Sequence, residues 1–164
     1  MYVFDLKTKT LLPVFIEKVD FDNIKYNTIA FGFNWKKLSK QANSNTYALK
    51  FKEELNEVIG LLHLINNNGM LIMNMIEVSK KNIGKRKRYD YIGGCLIAFA
   101  CKQSFALASN YKGFLTFNAK TELVSYYKTK YYAKQINGQR MYIEPEDGIK
   151  LINEYINRKK WKLN

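Results

Sequence analysis

The feature that most constrains the fold is a pair of apolar segments separated by an asparagine-rich turn. Residues 57–65 read EVIGLLHLI, residues 70–78 read MLIMNMIEV, and the four residues between them are NNNG. Apolar segments on either side of an Asn-Gly pair are typical of an antiparallel β-hairpin. The second segment is apolar on both faces, so we expect a strand in the middle of a sheet with layers above and below it.

The pairing of these two strands decides which polar side chains share a face. With regular pairing and a turn of two or four residues, Leu62 and Leu64 fall on the same face as Glu77, and His63 falls on the opposite face. His63 is the single histidine of the chain. We interpret it as a packed core residue and not as a catalyst. The sequence also offers no metal-ligand spacing.

The remaining elements alternate in type. Strands are predicted at residues 11–19, 46–52, 113–119 and 139–143, and helices at residues 93–108, 121–130 and 146–157, with a further helical stretch at residues 35–42. No repeat or linker divides the 164 residues, 47% of which are hydrophobic. We therefore expect a single domain, residues 1–164, of the α/β (α+β) class with a mixed sheet.

Charge is concentrated in the second half of the chain. The net charge is +13, and residues 83–164 carry 16 of the 27 lysines and arginines but only 6 of the 14 acidic residues. Six of the nine residues 80–88, hereafter the basic loop, are Lys or Arg. Such an asymmetry favours an anionic partner.

A glycine pair and a predicted helix follow the basic loop. Gly93 and Gly94 stand where the helix begins, and the N–H groups at a helix N-terminus bind phosphate readily. Glycine also lets the backbone approach an anion closely. The alternative is a solvated basic loop in front of a core helix, and the loop alone does not decide between the two. No Walker-type Gly-Lys-Ser/Thr follows.

The order of elements around this loop resembles the GNAT superfamily of acetyl-CoA-dependent N-acyltransferases. In that family a strand ending in I-x-V leads to an Arg/Gln-x-x-Gly-x-Gly/Ala turn and a helix, and a later helix carries apolar-Tyr-x-x-x-Gly-aromatic. The matching strand end is Ile76-Glu77-Val78. The matching turn, hereafter turn 88–94, is Arg88-Tyr89-Asp90-Tyr91-Ile92-Gly93-Gly94. The matching helix segment is residues 126–132, YYKTKYY. Tyr91 and Tyr131 replace family glycines, and the strand-to-turn connection is longer than usual.

The resemblance implies a mostly antiparallel central sheet with helices on both faces and a site for acetyl-CoA, with no metal. The backbone around Ile76, Glu77 and Val78 would bind the pantetheine arm where the central strands splay apart. The N–H groups of turn 88–94 would cradle the pyrophosphate, with Arg88 or its neighbours in the basic loop contacting phosphates through side chains. Lys120 stands where many members place an Asn that faces the coenzyme.

Two residues receive catalytic roles from the resemblance and from chemistry. Tyr127 matches the family tyrosine that protonates the leaving thiolate, and a phenol of pKa near 10 suits a thiol of pKa near 8.5. The alternative is a packing tyrosine in a Tyr-rich segment. Glu77 is the candidate general base, because a carboxylate on a central strand is costly unless it is used or paired. The alternative is a structural carboxylate.

Three functions follow from these observations. The first is an N-acetyltransferase acting on a primary amine through direct attack and a tetrahedral intermediate. The second is a nucleic-acid-binding module that uses the basic half of the chain. The third is an acetyltransferase whose amine is carried by an RNA. The acceptor would be shaped by residues 23–44, where Phe31, Phe33 and Trp35 either line its pocket or anchor the segment to the sheet. The oligomeric state is left open.

The sequence also suggests a cytoplasmic location. Residues 1–10 lack the apolar region of a secretory signal, and the apolar run from residue 58 to 76 is interrupted by NNNG, which excludes a membrane helix there. Cys95 and Cys101 diverge on one predicted helix and cannot pair with each other, which favours a reducing compartment.

Overall fold

The computed structural model describes residues 1–21, 30–53 and 57–158. These residues form nine strands in one sheet, with the order β6-β1-β2-β3-β4-β5-β7-β9-β8. The strands are β1 Tyr2–Asp5, β2 Thr10–Lys18, β3 Ser44–Phe51, β4 Val58–Asn67, β5 Met70–Val78, β6 Tyr89–Asp90, β7 Leu115–Asn118, β8 Lys134–Asn137 and β9 Arg140–Ile143. Every neighbouring pair is antiparallel except β5 and β7. The mixed, mostly antiparallel sheet expected from the sequence is confirmed.

Helices cover both faces of this sheet. They are α1 Trp35–Ser39, α2 Ile92–Phe105, α3 Val124–Tyr131 and α4 Pro145–Leu151, which continues as a π-helical turn, Ile152–Ile156. Leu62 belongs to the cluster that contains α2 and α4, whereas Leu61 belongs to the cluster that contains Trp35 of α1. Because consecutive strand residues point to opposite faces, these are two separate cores. No helix among the described residues is long and apolar enough to cross a membrane.

The predicted hairpin is formed by β4 and β5. Asn67 pairs with Met70, so the loop contains only Asn68 and Gly69, with φ values of 51° and 86°. Two consecutive positive φ angles match the right-handed twist of a hairpin, and Asn-Gly adopts them at low cost.

A β-bulge in β5 overturns the expected distribution of side chains. The register shifts between His63 and Leu64, so that Leu64 pairs with Met73, His63 pairs with Met75, and Leu61 pairs with Glu77. Asn74 is the inserted residue. The prediction that His63 and Glu77 lie on opposite faces is therefore wrong, because one extra residue reverses the alternation beyond it. Both side chains belong to the face that α1 covers.

The two parallel strands separate after a short contact. Strand β5 pairs with β7 only at Leu71–Leu115 and Ile72–Thr116, whereas β7 continues to pair with β9 as far as Asn118. From Met73 onwards, β5 forms no ladder on this side with any described residue. The ends of β5 and β7 consequently splay apart, and the chain crosses between them through α2.

Candidate active site

Turn 88–94 leads into α2, whose first residue lies beside the end of β5. A Cβ at Gly60, which pairs with Val78 of β5, would lie 3.1 Å from Cγ2 of Ile92. Tyr89 and Asp90 pair with Asp5 and Phe4 of β1, and α2 begins immediately afterwards at Ile92. The first helical hydrogen bond runs from the N–H of Cys95 to the carbonyl of Tyr91 at 2.9 Å. The N–H groups of Ile92, Gly93 and Gly94 precede it and have no partner within the helix. The helix start predicted at residue 93 is confirmed to within one residue.

Tyr91 has the backbone conformation of a glycine. Its φ is 74° and its ψ is 0°, in the left-handed region, and it forms the N-cap of α2. A side chain there costs roughly 1–2 kcal/mol. Its ring packs near those of Phe4 and Tyr155, with centroids 6.1 Å away in both cases. Tyr91 therefore adopts a left-handed conformation that glycine adopts at lower cost.

Arg88 is tied to the first strand. Its Nη2 lies 3.1 Å from Oδ2 of Asp5, whose side chain is buried, and its guanidinium lies 5.0 Å from the ring centroid of Tyr89. Burial alone would raise the pKa of the Asp5 carboxyl. Hydrogen bonds from the N–H groups of Lys7 and Thr8 and from Arg88 instead hold this pKa below its usual value. The ion pair fixes turn 88–94 against β1.

Glu77 turns away from the splay and towards the α1 side. Its carboxylate accepts hydrogen bonds from the N–H of Gly32 at 2.5 Å, the N–H of Phe33 at 3.4 Å and Nε1 of Trp35 at 2.7 Å. Its strand neighbours Ile76 and Val78 are half-buried and pack against the α2 core. The end of β5 thus contacts the α2 core through Ile76 and Val78, and the residues just before α1 through Glu77.

The aromatic cluster of that segment mostly anchors it. Phe31 and Trp35 are buried against the sheet, whereas Phe33 remains 47% exposed. Of the two readings open from the sequence, anchoring therefore applies to Phe31 and Trp35. The part of the segment at residues 22–29 lies outside the described residues.

Tyr127 lies in a group of packed tyrosines on α3. It is half-buried, its ring centroid lies 4.9 Å from that of Phe117 on β7, and burial raises its pKa. Tyr131, one turn later, is buried and places its hydroxyl 3.1 Å from where a Cβ of Gly93 would lie. Burial also raises the pKa of Tyr131. Tyr131 therefore faces the first turn of α2, and the ring centroid of Tyr127 lies 5.8 Å from that of Tyr131.

Lys120 is exposed at the end of β7. It precedes a short 3₁₀ turn, Thr121–Leu123, that leads into α3, so the predicted helix at 121–130 begins in a different helical form. Its position at the splayed end of β7 is compatible with the expected place beside a coenzyme.

A polar pair lies under α1. His63 is fully buried, and its Nδ1 accepts a hydrogen bond from the side-chain amide of Asn74 at 3.0 Å. Burial lowers the pKa of His63. The sequence could not reveal this pair because the bulge that brings the two side chains together has no signature in the residues.

Two residues near the end of the described chain, Tyr155 and Arg158, contact turn 88–94 although the sequence did not predict it. The guanidinium of Arg158 lies 4.3 Å from the ring centroid of Tyr91, and Tyr155 packs on Gly94. These residues are more than 60 positions from turn 88–94, and no local pattern marks the contact. The one signal in the sequence is the run of three basic residues at 158–160.

The cysteines are free, as expected. Cys95 and Cys101 are both buried in α2, and burial raises the pKa of each thiol to about 12. They are core residues without nucleophilic character at neutral pH. No group of three or more His, Cys, Asp or Glu side chains among the described residues could hold a metal ion.

Several solved structures share the fold. A chain of the KacTA–DNA complex superposes with a TM-score of 0.63 at 16% identity, covering 87% of this chain and 99% of that one. A bacterial toxin gives 0.63 at 13% identity, with 91% and 100% covered. The structure of a mutant AtaT toxin bound to the C-terminus of the antitoxin AtaR and acetyl-CoA gives 0.61 at 13%, with 85% and 98% covered.

No family model and no curated protein matches the sequence. At these identities the superpositions show a shared fold. The fold is that of the GNAT-type acetyltransferases, as the sequence resemblance predicted. The splayed parallel strands and the glycine-opened helix are part of this fold.

Proposed function

We propose that this protein is an N-acetyltransferase that transfers an acetyl group from acetyl-CoA to a primary amine. The observation that carries the proposal is the gap between β5 and β7 beside the unpaired N–H groups at the start of α2. A strand edge supplies hydrogen-bonding groups for an amide-containing chain, and a helix N-terminus attracts phosphate. Acetyl-CoA has both parts, and a neighbour of the same fold was crystallised with it.

The coenzyme would then lie along the splay. The backbone of Ile76, Glu77 and Val78 would bind the amides of the pantetheine arm in the position of a missing strand. The N–H groups of Ile92, Gly93 and Gly94 would bind the pyrophosphate, and Lys120 would contact the coenzyme from the end of β7. Arg88, with Tyr89 and Asp90, would act mainly by holding turn 88–94 against β1, because its guanidinium already pairs with Asp5.

Tyr127 would serve as the general acid. The neutral amine attacks the thioester carbon, the carbon–sulfur bond breaks as the tetrahedral intermediate collapses, and the departing thiolate needs a proton. Because burial raises the pKa of Tyr127, its hydroxyl is protonated at neutral pH and can give that proton. The sulfur thereby leaves as the thiol of coenzyme A, and the phenolate is reprotonated by solvent.

Glu77 would take the proton that the amine loses. A carboxylate has about four lone-pair sites, and three N–H donors approach this one, so one site is left for a further partner. We propose that the same carboxylate positions the segment at Gly32–Trp35 and accepts a proton from the acceptor bound beside it. Phe33, the exposed member of the aromatic cluster, would line the acceptor pocket.

A second candidate is an acetyltransferase whose amine is linked to RNA. The net charge of +13 exceeds what one coenzyme requires, and one neighbour of the same fold was solved in a complex with DNA. Binding of a polyanion through lysines and arginines weakens steeply with salt. Purely non-catalytic binding of nucleic acid would give the same salt dependence without any acetyl transfer.

The direct test measures release of coenzyme A thiol from acetyl-CoA in the presence of simple amines, peptides and aminoacyl-RNA. Acceptor-dependent release that Tyr127→Phe reduces would support the proposal. Release with aminoacyl-RNA alone would select the second candidate. RNA binding without release from any acceptor would contradict both and leave the non-catalytic function.

A further inference from the structure

The last two cations of the basic loop, Lys87 and Arg88, are engaged in ion pairs with carboxylates. Arg88 pairs with Asp5, and Nζ of Lys87 lies 3.0 Å from Oδ1 of Asp90. Their charges are therefore largely compensated within the fold. A diphosphate bound at the turn would be stabilised most by a cation that is not already paired with a carboxylate.

Arg158 meets this condition. Its guanidinium stacks over Tyr91 at 4.3 Å, and its Nε donates a hydrogen bond to the carbonyl of Glu154 at 2.9 Å. Within residues 1–21, 30–53 and 57–158, no carboxylate lies within ion-pair distance of it. Stacking on one side and a hydrogen bond at Nε hold the guanidinium plane in place, while the terminal nitrogens carry no carboxylate.

Tyr155 fixes the segment that carries Arg158 to the first turn of α2. Its ring occupies the space that a side chain at Gly94 would need, with Cε1 2.2 Å and Cζ 2.5 Å from the Cβ position. The residue is only 2% exposed, so its ring is fixed by packing against the first turn of α2. Arg158 follows three residues later in the chain and is thereby held near the same turn.

We infer that Arg158 is the side-chain cation that binds the pyrophosphate of the coenzyme, and that Tyr155 is the positioning residue that holds it over Tyr91. The planar guanidinium can donate two parallel hydrogen bonds to phosphate oxygens. Tyr91, which stands in place of the family glycine, then has a role of its own, because its ring packs against the guanidinium of Arg158. This inference rests on the proposed function, because it assumes that acetyl-CoA is the ligand.

The test compares Arg158→Gln with the wild type by calorimetric titration of acetyl-CoA and of dephospho-CoA at one fixed salt concentration. Loss of a charge-assisted contact is expected to weaken both ligands about tenfold. Arg158→Lys keeps the charge without the planar fork, and its affinity for each ligand is expected to lie between those of the wild type and Arg158→Gln. Lys18→Gln, which removes an exposed cation at the end of β2, is the control for net charge. Thermal unfolding of each variant verifies that it is folded.

The outcomes separate the inference from the proposed function. If the wild type binds acetyl-CoA and Arg158→Gln binds it within twofold, the inference is wrong and the proposed function stands. If the substitution weakens the binding of acetyl-CoA but not that of dephospho-CoA, Arg158 contacts the 3′-phosphate and the assignment to the pyrophosphate is overturned. If the wild type binds neither ligand, the proposed function itself fails. Equal losses in Arg158→Gln and Lys18→Gln would reduce the effect to net charge and also overturn the inference.

Discussion

The carboxylate of Glu77 accepts a hydrogen bond from Nε1 of Trp35 at 2.7 Å. This contact joins the end of β5 to the first residue of α1, and it makes Glu77 a candidate for both positioning and proton transfer. Trp35→Phe removes the indole donor and keeps the carboxylate, whereas Glu77→Gln removes the charge itself. The pair of variants therefore separates the two roles.

We expect Glu77→Gln to lower kcat about 100-fold, the usual effect of losing a general base. Trp35→Phe should cost about 1.5–3 kcal/mol of unfolding free energy, as expected for a hydrogen bond to a charged group, and should mainly raise the KM for the acceptor. Steady-state kinetics with both substrates varied, together with urea unfolding, provide the measurements. Equal losses of kcat in the two variants would reduce Glu77 to a positioning residue.

Tyr127→Phe should lower kcat by about 100-fold or more while leaving the KM for acetyl-CoA nearly unchanged, because the hydroxyl acts on the leaving group. Since burial raises the pKa of Tyr127 above its ordinary value, the acid form persists into alkaline solution. The wild type should therefore keep its kcat up to about pH 10. Tyr111→Phe, at an exposed tyrosine, is the matched control. A Tyr127→Phe enzyme with wild-type kcat would exclude this residue as the acid.

Alanine substitutions at two glycines should have different effects on the stability of the fold. A Cβ at Gly94 would lie 2.2 Å from Cε1 of Tyr155, so Gly94→Ala should destabilise the fold by about 2 kcal/mol or more. A Cβ at Gly148 in α4 would meet Cys101 Cβ at 3.4 Å, which is ordinary contact. Gly148→Ala should be neutral or stabilise by about 0.5–1 kcal/mol, because alanine favours the helix. Thermal and urea unfolding measure both. A stable Gly94→Ala variant would contradict the packing of Tyr155.

His63 should make the fold sensitive to mild acid. Burial lowers its pKa in the folded protein, whereas the unfolded chain takes up a proton near the ordinary value of about 6.5. The unfolded state therefore binds more protons below that pH, and stability falls as the pH decreases from 7 towards 5. His63→Gln should show a weaker decline over this range in urea unfolding. An identical pH dependence in the variant would mean that other groups cause it.

The sequence predicted the parts of the fold that have strong local signals. The β4–β5 hairpin was found because Asn68-Gly69 separates two long apolar segments, and α2 was found because Gly93 and Gly94 open an apolar helix. The short strands β1, β6 and β8 were missed. They contain only two to four residues, and their identity depends on partners elsewhere in the chain.

The candidate site was predictable in outline but not in its connections. The residues of turn 88–94 could be recognised, yet the ion pair between Asp5 and Arg88 and the stacking of Arg158 on Tyr91 join distant parts of the chain. The bulge at Asn74 was equally invisible, because a single inserted residue changes which side chains face α1 without changing the apolar pattern.

The most direct test of the account is calorimetric titration of the purified protein with acetyl-CoA at moderate salt, with ATP as a matched polyanion. We predict saturable binding of one acetyl-CoA per chain in the micromolar range and clearly weaker binding of ATP. This result would place a specific coenzyme site on the protein. Absence of acetyl-CoA binding, or equal binding of ATP, would contradict the account and leave a basic protein that has the fold of an acetyltransferase without its coenzyme.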